Sequence, residues 1–375
     1  MNTSANGWRL RPAGIAFTKG AESEEVRRRV FAKLEACNLA HCVRASVFGA
    51  GLTFSLRDNL LAEWMPQWDT LQLSRQLDLG TADETGDIEK EILLTMLAAP
   101  LAFAYPSFEE FAAAINIRRH IVAAARKTQL AFDTAAAERP EQYWRYEEER
   151  GFRILPGVPL IDALVKATQP GASGRKYSFS CYRATEYVIL LGIARELESV
   201  NPALLARIQT QWEIEAIKSR RFHDAFLHEA GSMADPVPSR YYVPGDRVWF
   251  RNPDKVSSNI AGYEGSWVFY LGGGLFSNFW KPAQPYTLET KCVEIFHWRH
   301  GVVRNANGED GIDEFIVDSA VHASLADLDA REDILRHMQR MRDPAGIHAH
   351  GGCLDASREF PKRVCPGTSD MLAGY

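Results

Sequence analysis

Phe179-Ser180-Cys181-Tyr182-Arg183-Ala184-Thr185-Glu186 runs straight into Tyr187-Val188-Ile189-Leu190-Leu191-Gly192-Ile193-Ala194. Polar entry residues followed by a compact apolar stretch predict a buried helix that begins at the cysteine. Backbone N–H groups at a helix start lack intrahelical acceptors, and the positive end of the macrodipole favours a nearby thiolate. Cys181 thus stands where a nucleophile belongs. Taken alone, the same cysteine also reads as a small buried core residue.

Upstream, Ser107 is placed to cap a helix from Phe108 through Gln129, whose apolar residues recur at three- and four-residue intervals. Further back, Glu22 to Cys37 has helical spacing, and Ala45 to Leu56 alternates like a hairpin around Gly49-Ala50-Gly51. A loop over Leu79 to Asp87 leads to a helix from Ile88 to Leu97. Between residues 151 and 176 prolines and glycines predict loop around a short helix, Leu160 to Ala167, and a further helix follows Cys181 near Pro202 to Ile217. From Tyr241 the pattern changes to β-rich runs at Arg247 to Phe250, Trp267 to Leu271 and Tyr286 to Phe296. Helices first and strands later describe an α+β layout. Asp327 to Arg342 reads as a charged amphipathic helix, and Ala345 to Tyr375, rich in Gly, Pro and charge, as a partly mobile tail.

The chain has 375 residues, 46% of them hydrophobic, enough for a sizeable core, and a formal net charge of −5. So modest an acidic balance offers no field for nucleic acid or an anionic membrane, and neither is expected as a partner. The cluster Lys218-Ser219-Arg220-Arg221 reads as a solvated helix face. Met1 to Pro12 lacks the apolar core of a signal peptide, and no apolar run approaches the roughly 20 residues of a membrane span. Six cysteines scattered through the chain read as mostly reduced, so a cytoplasmic location is expected, with export by a route that cleaves no signal left open.

The Cys181 segment resembles the bacterial spore-coat-type transglutaminases, the protein-glutamine gamma-glutamyltransferases whose nucleophile is a cysteine entering an apolar helix. Four further blocks resemble that family in the same order. Ala99-Pro100-Leu101-Ala102-Phe103 with Ile117-Arg118-Arg119-His120-Ile121 is similar to its first helical region, and Tyr143-Trp144-Arg145 to its aromatic-basic signature. Gly245-Asp246-Arg247-Val248-Trp249-Phe250-Arg251-Asn252-Pro253 looks like its strand with an Asn-Pro turn, and Gly262-Tyr263-Glu264-Gly265-Ser266-Trp267-Val268-Phe269-Tyr270-Leu271-Gly272 like the strand that follows. The resemblance implies a catalytic domain over residues 98–300, with an appended module at 1–97 and a helical extension and tail at 301–375. It implies a papain-like core, a nucleophile helix on an antiparallel sheet. It also implies protein substrates presenting glutamine and lysine, joined through a thioester on Cys181, and no cofactor, calcium included.

In the family a glutamate that begins the strand after the Asn-Pro turn acts with the cysteine, a second glutamate precedes the cysteine, and a histidine follows about a dozen residues beyond the first. Here those places fall on Ser266, Ser180 and Asn278. Glu264, two residues before Ser266, is a candidate replacement, since positions two apart on a strand share a face. His297 and His300 are candidate bases from the same β-rich region. Asn278 can orient a base but cannot exchange protons at neutral pH. Glu186, five residues beyond Cys181, falls on another side of the helix and reads as support. His348, His350 and Cys353 lack a recognisable fourth ligand and do not predict zinc. Two other readings use the same residues: a papain-like amidase or peptidase, and a pseudo-enzyme that keeps the fold as a binding module.

Overall fold

The computed structural model, which describes residues 12–18, 23–48, 51–81, 85–132, 137–216, 219–304, 308–345 and 350–372, mixes helices and sheets. Strands β1 (Ile15–Phe17), β2 (Val43–Phe48), β3 (Gly51–Leu56) and β4 (Phe103–Tyr105) form a sheet in the order β2-β3-β1-β4. β2 and β3 are the expected hairpin, with Val43 opposite Leu56; Gly49 and Ala50 of its tip lie outside the described residues, as does Lys218 of the basic cluster.

Helices α1 (Ser23–Ala36), α2 (Thr85–Leu97), α3 (Phe108–Lys127), α4 (Leu160–Thr168), α5 (Cys181–Val200) and α6 (Pro202–Ile214) build the middle of the molecule. Ser107 caps α3 as expected, accepting from the Glu110 N–H at 3.2 Å. Every residue of α5 from Ala184 to Ala194 is buried, which is the signature of a helix surrounded by protein. It lies against α3 at Gly192, where an added Cβ would stand 2.6 Å from Cγ1 of Ile121.

A second, antiparallel sheet carries β5 (Leu227–Ala230), β6 (Arg247–Arg251), β7 (Gly265–Gly272), β8 (Leu275–Phe276) and β9 (Arg358–Pro361) in the order β8-β7-β6-β9-β5. Strand pairing crosses both boundaries of the expected division of the chain. β9 comes from the segment read as a mobile tail, yet it bridges β6 and β5, and Arg358 and Glu359 are buried in it. Arg247 of β6 is ion-paired with Glu359 across the strands. At the other end β4 lies beyond the 97/98 boundary but pairs in parallel with β1, and Val30, Phe54, Phe111 and Val188 belong to one apolar cluster. Phe111 of α3 meets Phe17 of β1 at 5.8 Å and Tyr105 of β4 at 5.7 Å, so packing continues across residues 97 and 98.

Helices α7 (Leu288–His297), α8 (Glu314–Ala326) and α9 (Leu328–Met338) lie in the chain between β8 and β9 of that sheet. The run Tyr286 to Phe296 is therefore mostly helix. Thr287 and Thr290 form a reciprocal capping box at its start, and Leu288, Cys292, Val293 and Ile295 repeat at helical spacing on the buried face. No helix among the described residues is long and apolar enough to cross a membrane.

A fragment of residues 90–310 lacks β9 and leaves the facing edges of β5 and β6 unpaired, while α3 loses β1–β3. We expect it to be insoluble or to lose signal gradually in urea, where the full chain shows a sigmoidal transition by circular dichroism. A cooperative, soluble fragment would restore the original boundaries.

Candidate active site

Ser180 caps α5, its hydroxyl accepting from the Arg183 N–H at 3.4 Å, and this sets the helix to begin at Cys181. The first turn is docked on the second sheet through aromatic contacts. Tyr182 meets Trp267 of β7 edge to face at 5.4 Å, and Trp267 stacks on Trp249 of β6 at 5.6 Å and 12°. The buried guanidinium of Arg247 lies 5.0 Å from the Tyr182 ring and 4.6 Å from that of Trp267, and reaches Thr185 Oγ1 at 3.5 Å. Helix start and strand start thus converge on one place.

At that place a cavity of about 60 Å3 is lined by Cys181, Ser266 and Asn278 together. Ser266 is buried on β7, opposite Phe250 of β6. Asn278 is buried too, but its amide organises the following turn: Nδ2 donates to the Gln284 carbonyl at 3.0 Å and Oδ1 accepts from Lys281 N–H at 3.0 Å. Its polar atoms hold the Trp280 and Lys281 wall of the cavity in position.

Glu264 lies just outside β7, so strand alternation does not govern where it points. It is exposed and does not line the cavity, although its neighbours Tyr263 and Gly265 do, and Oε2 accepts from the Gly262 N–H at 3.1 Å. Its negative charge nonetheless reaches the Cys181 thiol. His297, at the end of α7, does not line the cavity. Its Nδ1 is 2.8 Å from Nδ1 of His300 and its Nε2 2.8 Å from Ser324 Oγ, so both ring nitrogens are engaged elsewhere. Burial, with the charges of His300 and Arg299, brings its pKa down to about 4. As a base for Cys181 the histidine pair is therefore set aside.

The Cys181 thiol is pushed up from its ordinary value, chiefly by burial. Backbone N–H groups of Trp267 and Tyr182 and the charge of Lys291 act the other way, and Glu264 adds to the rise. Burial thus works against the donors of the helix start, although Cys181 itself is only half-buried. Glu186 is buried, with Oε2 accepting from Arg183 Nη1 at 2.6 Å, and burial raises its pKa to about 7 despite the arginines. It supports the helix on a side away from the cavity lining.

Five charged residues of the cavity escaped the sequence reading. Lys291 and Glu294 come from α7, in a run that reads as a strand; Glu314 and Asp318 come from α8, and Lys281 from the turn after β8. The threonine capping box before Lys291 was the signal that could have placed the first two on a helix. His348 lies outside the described residues, and Cys353 is buried with its Sγ 3.4 Å from that of Cys292. Among the described residues no group of three or more His, Cys, Asp or Glu is placed to hold a metal ion.

The family model described as protein-glutamine gamma-glutamyltransferase matches residues 67–358, extending beyond the expected 98–300 at both ends. A protein-glutamine gamma-glutamyltransferase of Halalkalibacterium halodurans is 26% identical over 215 residues, covering 56% of this chain and 69% of the relative. The solved transglutaminase from Geobacillus stearothermophilus, without its C-terminal extension, aligns at 18% identity over 57% of this chain and 98% of that one, with a TM-score of 0.38.

The raised thiol predicts slow alkylation of Cys181 by iodoacetamide at mildly acidic pH. The rate should climb with pH to a midpoint above the roughly 8.5 of a free cysteine. Mass spectrometry of the modified peptide checks this, and a midpoint below 7 would contradict the dominance of burial.

Proposed function

The chain belongs to the protein-glutamine gamma-glutamyltransferase family, which are acyltransferases, and from that premise we propose that it transfers the acyl group of protein-bound glutamine to lysine, or to water, through a thioester on Cys181. The observation that carries this reading is the cavity shared by Cys181 at the head of α5 and Ser266 at the head of β7. The packing of α5 on an antiparallel sheet supports a papain-like description of the core.

In the proposed reaction Glu264 takes the Sγ proton and the sulfur attacks the γ-carboxamide carbon. The carbonyl oxygen gathers the negative charge of the tetrahedral intermediate, and the Trp267 and Tyr182 N–H groups near the sulfur are its natural donors. Collapse breaks the C–N bond, and the proton held by Glu264 leaves with ammonia. A lysine amine then attacks the thioester and passes a proton to the carboxylate. The C–S bond breaks, the thiol recovers its proton, and an isopeptide remains; water in place of the amine gives deamidation. For this role the Glu264 carboxylate must turn from the Gly262 N–H toward the sulfur. Every proton is carried by a side chain or by substrate, so we expect no need for calcium or any other cofactor. We also keep the cytoplasm as the proposed location, on the grounds of scattered, unpaired cysteines.

A second reading is favoured by Ser180, Ser266 and Asn278 standing where the resemblance calls for two glutamates and a histidine. A chain without its acid and base can retain the fold as a binding module. A papain-like amidase would use Cys181 on a backbone amide, and release of ammonia from glutamine separates it from the first reading.

Cys181→Ala is expected to abolish both ammonia release and incorporation of a fluorescent primary amine into a glutamine-bearing protein, while Cys37→Ala and Cys365→Ala keep most of the rate. Glu264→Gln should lower the rate by roughly 10²- to 10⁴-fold with little change in Tm, and Ser266→Ala far less. Chelator or added calcium should leave it unchanged. Turnover in the Cys181→Ala protein would overturn the reading, and a wild-type rate in Glu264→Gln would remove the carboxylate from the chemistry.

A further inference from the structure

Lys291 is only 3% exposed, although a lysine on a helix near the surface ordinarily extends its ammonium to water. Here the side chain is held inward. Nζ donates to Glu294 Oε2 at 2.6 Å, one turn along α7, and sits 4.0 Å from the centre of the Tyr286 ring. Tyr286 in turn donates its hydroxyl to Glu294 Oε1 at 2.9 Å, so one carboxylate fixes both. All three residues line the cavity that contains Cys181. A buried cation is costly unless it is paired, and this one is paired on one side and faces the nucleophile's cavity on the other.

We propose that Lys291 is the electrostatic partner of Cys181: its ammonium holds the negative charge of the thiolate, and of the oxyanion that follows, with Glu294 and Tyr286 positioning it. The proposal rests on the acyl-transfer reading for its second half; its first half concerns the thiol alone. It answers a gap at the site, because neither Ser266 nor Asn278, which replace the family's glutamate and histidine, carries a charge. The positive charge of Lys291 acts on the thiol against the effect of burial.

Other charges also bear on the sulfur. The charge of Glu264 acts on it from the turn before β7. Glu314 and Asp318 line the cavity from α8, the latter paired with Lys281 at 2.6 Å, and Glu314 accepts from the Tyr263 hydroxyl at 3.4 Å. Both lysines of the cavity are ion-paired, Lys281 with Asp318 on the exposed rim and Lys291 with Glu294, and of the two Lys291 is the buried cation.

The test is the pH dependence of iodoacetamide alkylation of Cys181 in the full chain, read by mass spectrometry, which needs no acyl substrate. Lys291→Met, with similar length and no charge, should raise the midpoint by about one pH unit and slow alkylation below it about tenfold. Lys291→Arg should restore most of the loss. Glu294→Gln keeps the ammonium and removes its counter-charge, so the midpoint should fall; this variant decides the matter if Lys291→Met fails to fold. An unchanged midpoint in a folded Lys291→Met protein, a shift in Lys291→Arg equal to that of Lys291→Met, or a rise in Glu294→Gln overturns the proposal. Coupling without turnover of glutamine would instead refute the acyl-transfer reading and leave the ion pair standing.

Discussion

The close approach of α3 and α5 at Gly192 is the constraint on which the site depends. An added Cβ would stand 2.6 Å from Ile121 Cγ1 and 3.1 Å from the Ile121 backbone nitrogen, so the helices can touch there only through glycine. With the axis of α5 fixed, Cys181 lies eleven residues back along a rigid helix, about 16 Å at 1.5 Å per residue. α3 is itself locked to the second sheet. Arg118 is ion-paired with Asp246 at 2.7 Å, both side chains buried, and Gly245 packs directly over the Arg118 stem. The same helix therefore fixes α5, and with it Cys181, and the start of β6, whose far end pairs with Ser266 at the head of β7.

The outer parts of the chain are woven into this frame by buried polar ties as well as by apolar packing. Glu91 of α2 is fully buried, and its carboxylate accepts from the Tyr270 hydroxyl at 2.8 Å and from the Gly273 N–H at 2.9 Å, at the far end of β7. Glu110 of α3 accepts from the Val364 and Cys365 N–H groups at 3.0 and 2.9 Å. Leaving such carboxylates in place while removing their donors exposes the full cost of burying a charge. A tail that satisfies a buried glutamate and completes a sheet is part of the core, whatever its glycine and proline content suggests.

Legibility in the sequence followed the range of the forces involved. Helices with a local cap and a periodic face, such as α3 and α5, were readable because their determinants lie within a few residues, and Cys181 was readable as the first residue of such a helix. β9 was not, since Arg358 to Pro361 has no strand pattern of its own and is specified by partners more than a hundred residues away. α7 failed for a different reason: Lys291-Cys292-Val293-Glu294-Ile295-Phe296 alternates enough to pass for a strand, and the threonine cap before it was outweighed by that run. Losing α7 meant losing Lys291 and Glu294, so one misread period hid two of the five charged residues that line the cavity. The family positions Ser266 and Asn278 line the cavity with Cys181, whereas His297 does not, its ring being committed to His300 and Ser324.

The chemistry of the site turns on the balance between burial and charge at one sulfur. Burial raises the Cys181 thiol, which reduces the thiolate present at neutral pH, while two backbone N–H groups and Lys291 oppose it. The rise is not simply a handicap. Intrinsic nucleophilicity increases with thiol pKa, with a sensitivity of about 0.4–0.5, so a thiolate formed transiently in this cavity attacks faster than one formed permanently by a strong field. Position separates the charges that bear on this sulfur. Glu264 is exposed on the glycine turn before β7, whereas Lys291 is buried in the cavity wall, tied to the Glu294 carboxylate that also accepts from Tyr286. A cation fixed in the wall opposes the effect of burial on the thiol, and the carboxylate outside the wall adds to it, so the balance at Cys181 is set by which charge the fold buries.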